Sequence, residues 1–174
     1  MLRMREIHPY GIFVPKGARY LLLGSFPGKD SREWFYGSKR NQFWPIIEEV
    51  YGTRLKTKAK KTELMSRLKM AVGDIVWSCE RKRESNLDVN LGNLVFNIKG
   101  IEKVVKKYRI KKIFFSSRWV ETKFRRHFKE VAAKYPEIKV STLPSPSPRY
   151  AAMTKLEKVN YYRKWLPKLA GAVG

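Results

Sequence analysis

The chain has 174 residues, and its 38 Lys and Arg outnumber 15 Asp and Glu to give a formal net charge of +23. Apolar residues make up 43% and aromatics are plentiful, so this is a folded chain with a real core, of a length that suits one domain over residues 1–174. The single cysteine, Cys79, excludes an internal disulfide, two distant histidines leave a Cys/His zinc site short of ligands, and no apolar run approaches 18 residues.

In chain order, "MLRMREIHPY" lacks the apolar centre of a signal peptide. "ARYLLLGS" predicts a buried strand that stops at Gly24, and "FWPIIEEVYG" a short helix ending near Gly52. "TELMSRLKMA" has Leu64, Met65, Leu68 and Ala71 at helical spacing. "GDIVWSCE" suits a short strand or an extended segment, and "ERKRESNLDVN" a polar loop. "IEKVVKKYR" predicts a helix with Ile101, Val104 and Val105 inward. "KKIFFSS" is a strand whose continuous apolar run, Ile113 to Phe115, suits a sheet covered on both faces. "RWVETKFRRHFKEVAAKY" is a basic amphipathic helix, "EIKVSTL" a strand, "LPSPSPR" an extended loop, and "TKLEKVNYYRKWLPKL" a closing helix. The residues beyond it, "LAGAVG", are expected to fray, and Cys79 to sit in the core.

Strands alternating with helices predict an α/β fold, three layers with a central parallel sheet. In such sheets ligands sit at the carboxyl ends of the strands. Three segments follow strand ends: "GSFPG", "SSRW" and "LPSPSPR". They are expected at one edge of the molecule.

The basic excess runs from end to end, and a folded domain with that field attracts polyanions. A merely heat-adapted surface would bring Glu along with Lys, and here the acids do not keep pace. A nucleic-acid partner is therefore expected, with a soluble, intracellular, cytoplasmic and nucleoid-associated protein. No amphipathic anchor or second membrane signal accompanies the charge.

Within "GSFPG", Gly24 and Gly28 permit unusual backbone angles and Pro27 stiffens the turn, or else the missing side chains let backbone N–H groups approach a base or phosphate. No Gly-Lys-Ser/Thr follows, so it is not a P-loop. In "REWFYGSKRNQFWP", rings at Trp34, Phe35, Tyr36, Phe43 and Trp44 flank Lys39 and Arg40, the mixture that stacks a base and grips phosphates. Phe43 and Trp44 suit the core. Asn41 suits a helix cap, yet Pro45 at the first helical position would move the cap toward Trp44 and free the Asn41 amide. Alternate prolines make 143–150 stiff, and Ser145, Pro146, Ser147 and Arg149 there suit a grip on a DNA backbone.

Together, in this order and spacing, "GSFPG", "YGSKRNQFWP", "GDIVWSCERKRESNLD" and "LPSPSPRYAA" resemble the uracil-DNA glycosylase superfamily. The branch is the one that includes hypoxanthine-DNA glycosylases, with mismatch-specific uracil and thymine glycosylases as cousins. The resemblance runs from about Tyr20 to Trp165. It implies a central parallel four-stranded sheet between helices, no metal, no cofactor and a monomer. The implied activity is base excision: a damaged nucleotide of duplex, or single-stranded, DNA is flipped into a pocket and its base–sugar bond hydrolysed.

The chain also departs from that pattern. Where the best-studied branches carry Asp or Asn at the third position of the first motif, Phe26 stands here. Where uracil enzymes open the last motif with histidine, Leu143 stands. The resemblance leaves Asn41 as the group that orients the attacking water. Gly24, Ser25, Phe26, Gly28 and Tyr36 would form the base pocket, with Phe26 or Tyr36 stacking on the extruded ring. Ser116 and Ser117 would line it too, or cap the helix that follows. Lys39, Arg40, Ser145, Pro146, Ser147 and Arg149 would contact DNA. An amine attack by Lys39 would give a lyase, but the family acts through water. The competing expectation is a binding protein that kept the fold and lost the chemistry. RNA is a further candidate polymer.

Overall fold

In a computed structural model of the chain, residues 4–82 and 85–171 are described. Among the described residues, seven strands and six helices follow in order: β1 (Arg5–Ile7), β2 (Tyr20–Gly24), α1 (Phe43–Tyr51), α2 (Lys58–Arg67), β3 (Met70–Asp74), β4 (Val76–Arg81), β5 (Leu91–Phe96), α3 (Ile98–Tyr108), β6 (Lys112–Phe115), α4 (Arg118–His127), α5 (Lys129–Lys134), β7 (Lys139–Thr142) and α6 (Lys155–Trp165). A 3-10 turn at Asp88–Asn90 precedes β5.

The central sheet has the order β3-β2-β6-β7, and each pairing in it is parallel. It is an α/β fold, a four-stranded parallel sheet with helices on both faces. Alternate side chains go to opposite faces, as the pleat requires. Leu21, Leu23, Ile113 and Phe115 join a core with Ile101, Val105, Val120 and Phe124 from α3 and α4. Leu22, Val72 and Phe114 join a second core with Ile47, Leu64, Val159 and Tyr162 from α1, α2 and α6. The unbroken apolar runs of β2 and β6 follow from this double covering. The chain reverses its direction of build between β2 and β6, so the four carboxyl ends flank a crevice at that switch point.

Several elements differ from expectation. Ala71 is not on the face of α2: that helix ends at Arg67, capped by Leu68, and Ala71 lies in β3. The 73–80 stretch is not one strand but two, in different sheets, joined at Ile75. β4 pairs antiparallel with β1 and β5 in a small three-stranded sheet; β1 has one strongly apolar residue, Ile7, and β5 a short apolar run, Leu94 to Phe96. The basic helix over 118–135 breaks at Phe128, whose backbone leaves the helical region to bury its ring fully. In the polar 80–90 loop, Arg83 and Glu84 lie outside the described residues, as do the last three residues of "LAGAVG". Cys79 is buried as expected, and burial pushes its thiol up to about 11. Among the described residues, no helix is long and apolar enough to cross a membrane.

Phe114 is 1% exposed at the centre of the sheet. Phe114→Ala should cost about 3–5 kcal/mol, measured as a shift in the urea unfolding midpoint at constant slope.

Candidate active site

A cavity of about 510 Å3 opens at the carboxyl ends of the parallel strands, a volume typical of small-molecule sites. The 24–28 turn, the 36–41 loop, Ser116 and Ser117, and the 145–149 loop all contribute to its walls. The three segments expected at one edge therefore meet. A fourth, residues 85–88, joins them.

Gly24 and Gly28 do not serve a left-handed turn, since neither has positive φ. They are glycine because other groups occupy the space of a side chain. A Cβ at position 24 would strike Asp74 Oδ1 and come within 2.9 Å of Tyr36 Oη. A Cβ at position 28 would strike Ser38 Oγ and approach Asn86. The unusual backbone angle belongs instead to Tyr36, at φ 57°.

Asp74, 6% exposed, ends β3 and lines the cavity. His8 Nε2 lies 2.6 Å from Asp74 Oδ2. The Tyr10 backbone N–H donates to His8 Nδ1 at 3.2 Å. That bond uses the Nδ1 lone pair and leaves Nε2 to donate to the Asp74 carboxyl group.

Asp88 is the second inner carboxylate. Ser25 Oγ donates to Asp88 Oδ1 at 2.6 Å. Burial, with the nearby charge of Asp74, pushes Asp88 up to about 6, against the opposing pull of the Ser25 hydrogen bond and Arg81. The 85–90 segment is fastened onto the 24–28 turn by side chains. Arg81 Nη2 donates to Pro27 O at 2.9 Å and Nη1 to Ser85 O at 2.8 Å. Asn86 Oδ1 accepts from Lys29 N at 2.7 Å, and its amide donates to Asp30 at 2.6 Å.

Aromatic rings complete the inner wall. Phe26 packs edge-on to His8, with centroids 5.6 Å apart. Tyr36 stacks on Phe43 at 4.0 Å. Its buried hydroxyl makes no hydrogen bond within 3.5 Å, and burial beside Asp74 drives its pKa well above the ordinary phenol value, against the opposing pull of the nearby Ser116 hydroxyl. Phe43, Trp44, Trp34 and Phe35 are core.

Asn41 lies at the cavity wall, but its amide is not free of the helix. α1 begins at Phe43, two residues before Pro45, and the Asn41 Oδ1 accepts the Phe43 N–H at 2.9 Å. The expected cap near Trp44 is therefore wrong: Gln42 occupies the cap position without a side-chain bond, and Asn41 supplies the acceptor. This bond takes one lone pair of Oδ1 and fixes the amide plane.

Ser117 caps α4, accepting from Val120 N at 3.2 Å, and Ser116 lies 5% exposed beside it. The 143–150 segment is extended only at its start. Ser145 Oγ accepts from Ser147 N at 3.2 Å, Ser147 Oγ from Arg149 N at 3.3 Å, and Ser147 O accepts from Tyr150 N, closing a turn. The Ser147, Arg149 and Tyr150 N–H groups are thus used within the loop, and the Ser145 N–H, the hydroxyl hydrogens and Arg149 remain for an anion. The loop is anchored from beneath. Lys158, 1% exposed, donates to Gln42 Oε1 at 3.0 Å and Ser147 O at 3.1 Å, and Tyr162 donates to Pro144 O at 2.9 Å. Lys39, Arg40 and Arg149 are exposed at the rim. Leu143 is core, 1% exposed.

His8, Asp74 and Asp88 escaped sequence reasoning. A Gly that ends a strand signals a close approach, but not by which residue. No family model matches the chain, and no curated protein does.

Asp88 holds its proton more tightly folded, at about 6, than unfolded, at 3.8. Its favourable contribution is complete below pH 3.8 and is lost as the pH rises through about 6. Asp88→Asn cannot ionise. Relative to wild type it should be more stable at pH 7.5 than at pH 4, measured by urea midpoints; an equal difference at both would contradict this.

Proposed function

We propose that the protein is a monofunctional DNA glycosylase of base-excision repair, which hydrolyses the N-glycosidic bond of a flipped, deaminated base such as hypoxanthine, uracil or xanthine. One observation carries this reading: the Asn41 amide, the 24–28 turn and the serine-proline loop, distant in sequence, wall one cavity at the strand ends. The resemblance to the uracil-DNA glycosylase superfamily is the second support, and the parallel sheet agrees with it.

The chemistry follows from the charges that develop. As the bond breaks, the sugar becomes cationic and the base takes the electron pair. Asn41 Oδ1, held by the Phe43 N–H, offers its second lone pair to a water. An amide is too weak a base to deprotonate that water, but it can aim it at a dissociating sugar cation. The Phe26 and Tyr36 rings and the inner polar groups receive the base, while the rim cations Lys39, Arg40 and Arg149 hold the flanking phosphates. The protein acts as a monomer on DNA in the nucleoid.

Phe26 and the buried Leu143, standing where related enzymes carry catalytic groups, favour a second reading: a nucleic-acid-binding protein without catalysis. One assay separates the two. Duplexes with a single uracil, hypoxanthine or xanthine are incubated with the protein and cleaved with alkali. Strand breaks are expected; retention without breaks supports the binder.

Asn41→Ala should lower excision on the order of a hundredfold or more while DNA affinity is kept. Its stability should fall by about 1 kcal/mol through the lost helix-end acceptor. An Ala variant that cuts at the wild-type rate overturns the role. Affinity should drop steeply between about 50 and 200 mM salt as counterions are released, and a flat titration by fluorescence anisotropy would contradict the phosphate grip.

A further inference from the structure

The charge of the cavity is divided. Its cations, Lys39, Arg40 and Arg149, are exposed at the rim with one exposed acid, Asp30, whereas Asp74 and Asp88 stand at the inner wall. Among the described residues, neither inner carboxylate has a lysine or arginine nitrogen within 4.0 Å. His8, the partner of Asp74, takes the Tyr10 N–H on its other ring nitrogen. Asp88 takes only the Ser25 hydroxyl, while the Arg81 guanidinium beside it is paired at 3.0 Å with Glu6. Where a related enzyme would meet a departing anion with histidine, Leu143 is packed in the core. Among the described residues, the Tyr36 hydroxyl, buried in the same wall, makes no hydrogen bond within 3.5 Å, and the Ser116 hydroxyl lies near it.

A base that leaves as an anion would be repelled by this wall. A base that leaves neutral would not, and while still cationic it would be attracted by both carboxylates and by the faces of Phe26 and Tyr36. We propose that the cavity expels its base as a neutral molecule: the preferred substrate is a 6-oxopurine that carries a positive ring charge when the glycosidic bond breaks. The charge comes from alkylation of a ring nitrogen, or from a proton delivered there by Asp88. The proposal rests on the glycosylase reading and names its substrate class.

In the protonated case, the Asp88 carboxyl gives its proton to the purine ring. The C1′–N9 bond breaks, and its electron pair stays on N9 and cancels the ring charge. Water oxygen bonds to C1′, and the proton it loses returns to the Asp88 carboxylate through the Ser25 hydroxyl. In the alkylated case the first transfer is absent, and the water proton passes through Ser25 and Asp88 to solvent. The Tyr36 hydroxyl donates to the purine O6. Around Asp88, the charged groups are Asp74 from β3 and Arg81 from β4, with neutral Tyr36 from the 36–41 loop.

The test measures single-turnover release by the wild-type protein from duplexes carrying one 7-methylguanine, one hypoxanthine or one uracil, with protein-free controls subtracted. At pH 6, both purines should leave at least about tenfold faster than uracil. Hypoxanthine release should fall toward about tenfold per pH unit above pH 6, as Asp88 loses its proton. Asp88→Asn should abolish that pH dependence and slow hypoxanthine more than 7-methylguanine. Uracil released as fast as the purines, or hypoxanthine release that is flat from pH 6 to 8, overturns the charge proposal and leaves the glycosylase reading standing. No release from any duplex removes both.

Discussion

The carboxylate of Asp74 occupies the space above Gly24 where any other residue would carry its side chain. Two neighbouring parallel strands, β2 and β3, come into register there, Gly24 against Asp74. The ends of both strands can close on one cavity only because position 24 has no Cβ. His8 reaches the same carboxylate from the amino-terminal segment, and the Tyr36 hydroxyl also borders the space beside Gly24. A buried carboxylate needs such a partner, because leaving its charge without a hydrogen bond costs more than the fold can spare. The glycine, the acid and the histidine are one arrangement.

Two further fastenings hold the cavity open on its other sides. The 85–90 segment is tied to the 24–28 turn through Arg81 and Asn86, which places Asp88 on Ser25. The serine-proline loop is tied to the start of α1 through Gln42 N–H on Pro146 O at 2.9 Å and through the buried Lys158 amine. Burial lowers the pKa of that amine, and two carbonyl-type oxygens accept from it. It is a structural post under the loop, while the cations Lys39, Arg40 and Arg149 are exposed to solvent. The cavity thus separates its charge: cations at the rim, carboxylates at the inner wall.

Much of the framework was legible. β2 and β6 have unbroken apolar runs because helices cover both faces of the sheet, and α3 turns Ile101, Val104 and Val105 inward at helical spacing. β3 was hidden because Ala71 happens to continue the spacing of Leu64 and Leu68, and helix and strand periods cannot be told apart over so few residues. β1 and β5 sit in a small sheet that is partly exposed: β1 shows little hydrophobic pattern, and the apolar run of β5, Leu94 to Phe96, is only half-buried or exposed. The break at Phe128 carries no glycine or proline to announce it, and its ring is fully buried, stacked on Phe124 at 4.7 Å.

By itself, the sequence determined the layered α/β architecture, the basic surface and the three loops that follow strand ends. These follow from local rules: apolar period, turn residues and the one-sided geometry of parallel strands. Only the tertiary structure decided which side chains enter the cavity with charge. His8 meets Asp74 across 66 residues and Ser25 meets Asp88 across 63. No local periodicity encodes pairs at such separation; they exist because the sheet register and the fastened loop bring them within hydrogen-bond distance. It also decided that the Asn41 amide both ends a helix and faces the cavity, since a lone pair already taken by a backbone N–H is visible only once the helix start is placed.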